Sequence, residues 1–100
     1  MSVTAYHFWS PTCAPCKVIK PAVEDLKEDF PNVQWISVNT QDDLNNYVQK
    51  LNVSAWPTIV VVSKNSAGNI VENRDDRHSG TSIMGYHRIL RKAISLANQM

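Results

Sequence analysis

The sequence predicts an α/β fold, a mixed four-stranded sheet with three helices in the order βαβαββα, on three observations. Ser2 to Trp9 alternates and is rich in β-branched and aromatic residues, then gives way to an apolar period through Ile19, Val23, Leu26 and Phe30. Ile59 to Val62 is an unbroken β-branched run, which suits a strand buried on both faces. The 100 residues, 43% of them hydrophobic, fill one core and leave no room for a second domain, so 1–100 is read as a single domain.

The first strand ends at the Ser10-Pro11 breaker, and a helix follows with Glu24, Asp25, Lys27, Glu28 and Asp29 on its polar faces and Pro31 as its stop. Pro21 falls inside this helix, where it removes one hydrogen bond and predicts a kink, at a cost of roughly 3 kcal/mol if nothing compensates. Val33 to Asn39 reads as a second strand. Asp42 to Leu51 reads as a second helix with Leu44, Tyr47, Val48 and Leu51 on its apolar face. After the β-branched run, Lys64 to Asn69 supplies a turn to a partner strand over Ile70 to Arg74, an antiparallel hairpin. The polar stretch Asn73 to Ser79 reads as a mobile loop. Gly80-Thr81-Ser82 offers an N-cap to a last helix that turns Ile83, Leu90, Ala93, Ile94 and Ala97 to the core and Arg88, Arg91 and Lys92 to solvent.

Ten basic and nine acidic residues leave a net charge of +1, which gives no basic field for nucleic acid or an anionic membrane. The opening MSVTAYHFW has neither the basic start nor the apolar run of a secretory signal, and nothing approaches the ~18 apolar residues of a membrane span. The expected setting is cytoplasmic, with protein or small-molecule partners.

Cys13 and Cys16, the only cysteines, admit three readings. A structural disulfide would close a very short loop, worth roughly 2 kcal/mol in the chain-entropy model. A zinc site needs four ligands, and His7, His78 and His87 do not supply the usual spacing. The third reading is a reactive dithiol. A strand-to-helix junction puts Cys13 at a helix N-terminus, where unpaired N–H groups and the helix dipole favour a thiolate. Lowering a thiol pKa from about 8.5 to about 7 raises the thiolate fraction at neutral pH from roughly 3% to 50%. Cys13 would then attack a disulfide and Cys16, one turn on, would resolve the mixed disulfide.

Phe8-Trp9 followed by Cys13-Ala14-Pro15-Cys16-Lys17 resembles the FW-x-x-x-C-G-P-C-K of the thioredoxin family, with alanine for glycine. Pro21 is similar to the family's helix proline, Trp56-Pro57-Thr58 to its cis-proline element, and Gly80 to the glycine before its last helix. The resemblance runs from Tyr6 onward and is to a minimal form of the fold, without the strand and helix that precede this core in thioredoxins and with extra residues between Ile70 and Ser79. It implies a thioredoxin-like fold and a cis bond before Pro57, with the Trp56 backbone facing the cysteines and open to an extended substrate. It also implies a substrate face of Trp9, Thr12, Ala14, Pro15, Trp56 and Pro57. Thr12 stands where thioredoxins carry a tryptophan, and Trp56 either restores that aromatic surface or tucks into the core.

His7 takes the place of the family's buried aspartate, and the partner lysine on the next strand is read as replaced by Trp35. Ala5, His7 and Trp9 share one face of the strand, so His7 lies beneath the cysteines and could receive the proton of Cys16. Its ordinary pKa places the expected pH response between about 6 and 8. The bland alternative is a histidine that only packs. The expected function is reduction of protein disulfides by a monomer that needs no bound cofactor, with thioredoxin reductase as the electron donor implied by resemblance. The alternatives are a glutaredoxin-like, glutathione-dependent reductase or thiol oxidant, and a non-catalytic thioredoxin-fold adaptor.

Overall fold

A computed structural model describes residues 2–64, 70–71 and 76–98. The element order is β1 (Ser2–Trp9), α1 (Ala14–Asp29), β2 (Gln34–Asn39), α2 (Tyr47–Lys50), β3 (Thr58–Lys64), β4 (Ile70–Val71), β5 (Arg77–Ser79) and α3 (Ile83–Asn98). The central strand β1 pairs in parallel with β2, from Thr4↔Gln34 to Trp9↔Asn39, and antiparallel with β3, from Ser2↔Lys64 to Phe8↔Thr58. The outer edge of β3 carries both β4 and β5, antiparallel. The result is the mixed four-stranded, thioredoxin-like sheet, with its fourth position shared by two short pieces.

The period-2 alternation of β1 feeds a core on each face. Val3 and Ala5 join Ile59 and Val61 under α1 and α3, where Ile19, Val23, Leu26, Tyr86, Ile89, Leu90, Ala93 and Ala97 complete the larger cluster. Phe8 packs with Val38, Val53 and Val60 on the opposite face, beside Tyr47, Val48 and Leu51. Full burial of an aliphatic such as Leu26 or Ile59 contributes roughly 1.5–3 kcal/mol, so these faces hold the layers together.

Helix α1 follows its sequence signals closely. Pro15 sits in the first turn, where no N–H is needed, and the Phe30 N–H closes the last turn on the Leu26 carbonyl at 2.9 Å before Pro31. The helix continues through Pro21, which stands on its exposed face.

Three expectations need correction or restriction. The second helix is only Tyr47–Lys50, not Asp42 to Leu51, and Leu44 is 91% exposed instead of facing the core. Asn46 is left-handed at φ 58°, and the Asp43 carboxylate accepts from the backbone N–H groups of Tyr47 at 3.0 Å and Val48 at 2.8 Å. The Asp43 carboxylate takes N–H groups that a helix begun at Asp42 would give to its own carbonyls, and the left-handed Asn46 interrupts the helical path, so the start is delayed. The expected loop over Asn73 to Ser79 contains β5, with Thr58↔Ser79, Ile59↔His78 and Val60↔Arg77. Residues 72–75, and the turn residues 65–69, lie outside the described residues. From Val60 to Ser63 β3 advances three residues while its partner goes from Arg77 to Val71, six, so the extra length expected in this region lies within the second pairing lane.

Ser82 Oγ accepts from the Gly85 N–H at 3.4 Å at the start of α3, the N-cap expected there. One turn in, Gly85 lies flat against the His78 ring, which meets Tyr86 edge-on with centroids 4.9 Å apart. A Cβ on Gly85 would overlap that imidazole. Gly85→Ala should therefore destabilise the fold by about 1–2 kcal/mol in urea denaturation, although alanine in a helix normally gains about 1 kcal/mol. In a His78→Ala background the same substitution should become stabilising; an unchanged sign would refute the packing explanation.

Candidate functional site

The C-terminal end of β1 and the start of α1 build the site. A turn closed by Cys13 N–H to the Ser10 carbonyl at 3.1 Å delivers Cys13 to the N-cap position with extended backbone, φ −89° and ψ 108°. Its Sγ accepts from the Cys16 N–H at 3.2 Å, so the cap is made by sulfur where a hydroxyl or carboxylate usually serves. Cys13 and Cys16 are joined as a disulfide, with Cα atoms 5.3 Å apart. They differ in access: Cys13 is half-buried, whereas Cys16 is 4% exposed.

Opposite the sulfurs lies the start of β3. The Trp56–Pro57 peptide bond is cis, and the Trp56 carbonyl oxygen is 3.6 Å from Cys13 Sγ. Pro57 is buried, while Trp56 is 40% exposed and so does not tuck into the core. The Pro57 carbonyl accepts from the Gly80 N–H at 3.0 Å and from the Tyr86 hydroxyl at 3.3 Å. That hydroxyl also contacts the Gly80 carbonyl, and burial pushes the Tyr86 pKa up to about 12, so it remains a donor. Gly80 has φ +101°, a conformation that disfavours any side chain, and it carries the chain from β5 into α3 beneath the proline.

Thr12, Ala14 and Pro15 are exposed around Cys13. Thr12 is clasped by groups that sequence reasoning missed. Gln41 Nε2 donates to Ser10 Oγ at 3.2 Å and to Thr12 Oγ1 at 3.1 Å, and Ser10 and Thr12 hydroxyls are 3.1 Å apart. No local pattern signals Gln41, because the contact spans some thirty residues.

Trp9 and His7 share a cavity with Cys16 below the disulfide. His7 is 8% exposed, and its Nε2 has no hydrogen-bond partner. The neighbour of His7 on β2 is Ser37, not Trp35. Trp35 pairs with Ala5 and donates its indole N–H to the Phe30 carbonyl at 3.3 Å, so it takes no part in the site. Ser37 accepts from the Trp9 indole at 2.7 Å. Burial pushes the His7 pKa down to about 4, with Lys27 acting in the same direction and Glu24 against it. The expected response between pH 6 and 8 is therefore displaced toward acid.

A disulfide at a helix N-cap, faced by a cis-proline across the ends of a mixed sheet, defines a thioredoxin-fold dithiol protein. The family model described as thioredoxin matches residues 3–84, and the chain belongs to the thioredoxin family. It is 39% identical over 62 residues to mitochondrial thioredoxin-2 of Schizosaccharomyces pombe, covering 62% of this chain and 46% of that protein. Thioredoxin-1 of Saccharomyces cerevisiae is 35% identical over 54 residues, 54% of this chain and 52% of the relative. The matched region thus spans about half the length of these curated relatives. Among solved structures, Fasciola hepatica thioredoxin superposes with a TM-score of 0.74 at 25% identity, covering 92% of this chain and 81% of that one. Thioredoxin from Trypanosoma brucei brucei gives 0.74 at 23%, covering 94% and 76%.

The His7 environment has a consequence for stability. A histidine in the unfolded chain protonates near 6.5, whereas folded His7 resists protonation until about 4. Its contribution is constant above pH 6.5. As pH falls from 6.5 to 4 the unfolded state takes up a proton that the native state refuses, and up to about 3 kcal/mol is lost. Urea denaturation at steps across this window should show that His7→Leu loses less stability than the unsubstituted chain. Equal losses would mean that His7 titrates normally.

Proposed function

We propose that the protein is a thiol-disulfide oxidoreductase that reduces disulfides in other proteins through Cys13 and Cys16. The single observation that carries this reading is the disulfide at the N-cap of α1, its more accessible sulfur 3.6 Å from the Trp56 carbonyl. In the reduced form the Cys16 N–H and the helix N-terminus favour a thiolate on Cys13. That thiolate attacks one sulfur of a substrate disulfide and the other leaves as a thiolate. Cys16 Sγ then attacks Cys13 Sγ, releases the second substrate thiolate, and leaves the Cys13–Cys16 disulfide. Two electrons pass to the substrate, and no bound cofactor is required.

The exposure difference supports that order, Cys13 being half-buried and Cys16 only 4% exposed. The substrate face in this reading comprises Trp9, Thr12, Ala14, Pro15, Trp56 and Pro57. Trp56 supplies exposed aromatic area and a backbone carbonyl beside the nucleophile, which suits an extended peptide. His7, neutral at neutral pH and lining the cavity of Cys16, relays the resolving thiol's proton toward solvent in this reading without keeping it, since burial disfavours its charged form. We place the reaction in the cytoplasm, where thiols are kept reduced, with the protein as a monomer and thioredoxin reductase as its electron donor.

The test is insulin disulfide reduction run in parallel with thioredoxin reductase and with glutathione. Turnover with the reductase alone is expected, and turnover with glutathione alone would favour the glutaredoxin-like reading. Cys13→Ser should abolish activity; retained biological function in that variant would identify an adaptor. Trp56→Ala should lower kcat/KM on insulin by about tenfold and spare a small aromatic disulfide. His7→Ala should slow resolution of the mixed disulfide in single-turnover measurements, and an unchanged rate would reduce His7 to packing.

A further inference from the structure

The turn that delivers Cys13 has an anchor outside its own segment. Trp9 and Asn39 close the ladder between β1 and β2, and the Thr40 N–H continues it onto the Trp9 carbonyl at 2.8 Å. Asn39 Oδ1 then accepts from the Gln41 N–H at 3.0 Å, a side-chain turn that fixes Gln41 beside the end of β1. From there Gln41 Nε2 reaches Ser10 Oγ at 3.2 Å and Thr12 Oγ1 at 3.1 Å, using both of its protons.

With the amide nitrogen facing the hydroxyls, proton counting gives this trio one direction. Ser10 Oγ also accepts from the Thr12 N–H at 3.3 Å, so its two lone pairs are filled. In the 3.1 Å contact between the hydroxyls, Ser10 therefore donates and Thr12 accepts. Without Gln41 each hydroxyl loses a donor, and the pair is free to reverse or open. Ser10 is buried and its carbonyl holds the Cys13 N–H, while Thr12 is joined directly to Cys13. In the oxidised protein the disulfide also restrains Cys13. On reduction that covalent tether is gone, and the turn has to hold the sulfur at the N-cap beside the Cys16 N–H.

We propose that Gln41 is a positioning residue for the nucleophile: through Ser10 and Thr12 it keeps the Cys13 thiolate against the N-terminus of α1 once the disulfide is reduced. The proposal rests on the reading of Cys13 as the attacking sulfur. A thiolate that drifts from the N-cap loses the field of the helix and its N–H partner, so it takes up a proton at higher pH. Gln41 then touches no substrate, and acts only through the turn.

The test is the pH dependence of alkylation by iodoacetamide in the whole reduced protein, with modification of Cys13 followed by fragment mass. Gln41→Leu should raise the midpoint by about half a unit and slow alkylation at neutral pH about threefold. Thr12→Val should act alike, and the double variant should shift no further than the larger single, because both substitutions break one network. Thr12→Ser keeps the hydroxyl and should keep the unsubstituted profile. An unchanged midpoint in Gln41→Leu overturns the proposal, even where urea denaturation shows lost stability, since the contact would then be structural only. Additive shifts in the double variant, or a Thr12→Ser profile displaced as far as that of Thr12→Val, overturn it as well. Alkylation consumes no disulfide substrate, so its outcome is separate from that of the insulin assay.

Discussion

The structure depends on β1 lying in the middle of the sheet, bonded along its length to β2 on one side and β3 on the other. That placement sends Ala5 into one core and Phe8 into the other, so both layers are anchored on a single strand. It also fixes where the strand ends. Trp9 and Ser10 emerge beside the beginning of β3, and the turn from Ser10 to Cys13 then has one place to put the sulfur, opposite Trp56. The disulfide and the cis-proline come from segments 43 residues apart in sequence, and the pairing of β1 with β3 makes them neighbours.

Much of this is legible in local pattern. The alternation of β1, the helical period of α1 and the β-branched run of β3 match the elements formed, because in each case side-chain burial and backbone preference agree. The Cys-x-x-Cys motif, Pro57 and Gly80 likewise identify the residues that the fold brings together. Pattern fails where a nonlocal or side-chain effect decides. Leu44 fits a helical period, but the Asp43 carboxylate takes the backbone N–H groups of Tyr47 and Val48, Asn46 turns left-handed, and the helix shrinks to one turn. Arg77–Ser79 reads as polar loop because on an outer lane only His78 turns inward. Trp35, read as standing in place of the family's partner lysine, pairs with Ala5 and bonds to the Phe30 carbonyl, a placement set by pairing across thirty residues that no local window contains.

His7 shows how a site can keep a shape while changing its chemistry. Thioredoxins, by resemblance, bury an acid here; this chain buries an imidazole that the environment keeps uncharged. An uncharged group asks for no counter-ion, and Ser37 opposite it, engaged by the Trp9 indole, is uncharged as well. The charges that act on His7 come instead from α1, through Lys27 and Glu24. Electrostatic control of His7 thus sits on the helix, where side chains reach solvent and respond to salt.

The divided edge of the sheet has its own physical meaning. A long straight edge strand displays a row of unpaired N–H and C=O groups on which another chain can build. Among the described residues the lane beside β3 holds a two-residue piece and a three-residue piece, out of a single register with each other. The β-branched run of β3, which would be a hazard at a sheet margin, lies instead in the interior of the sheet, with β1 along one side and these pieces at both ends of the other.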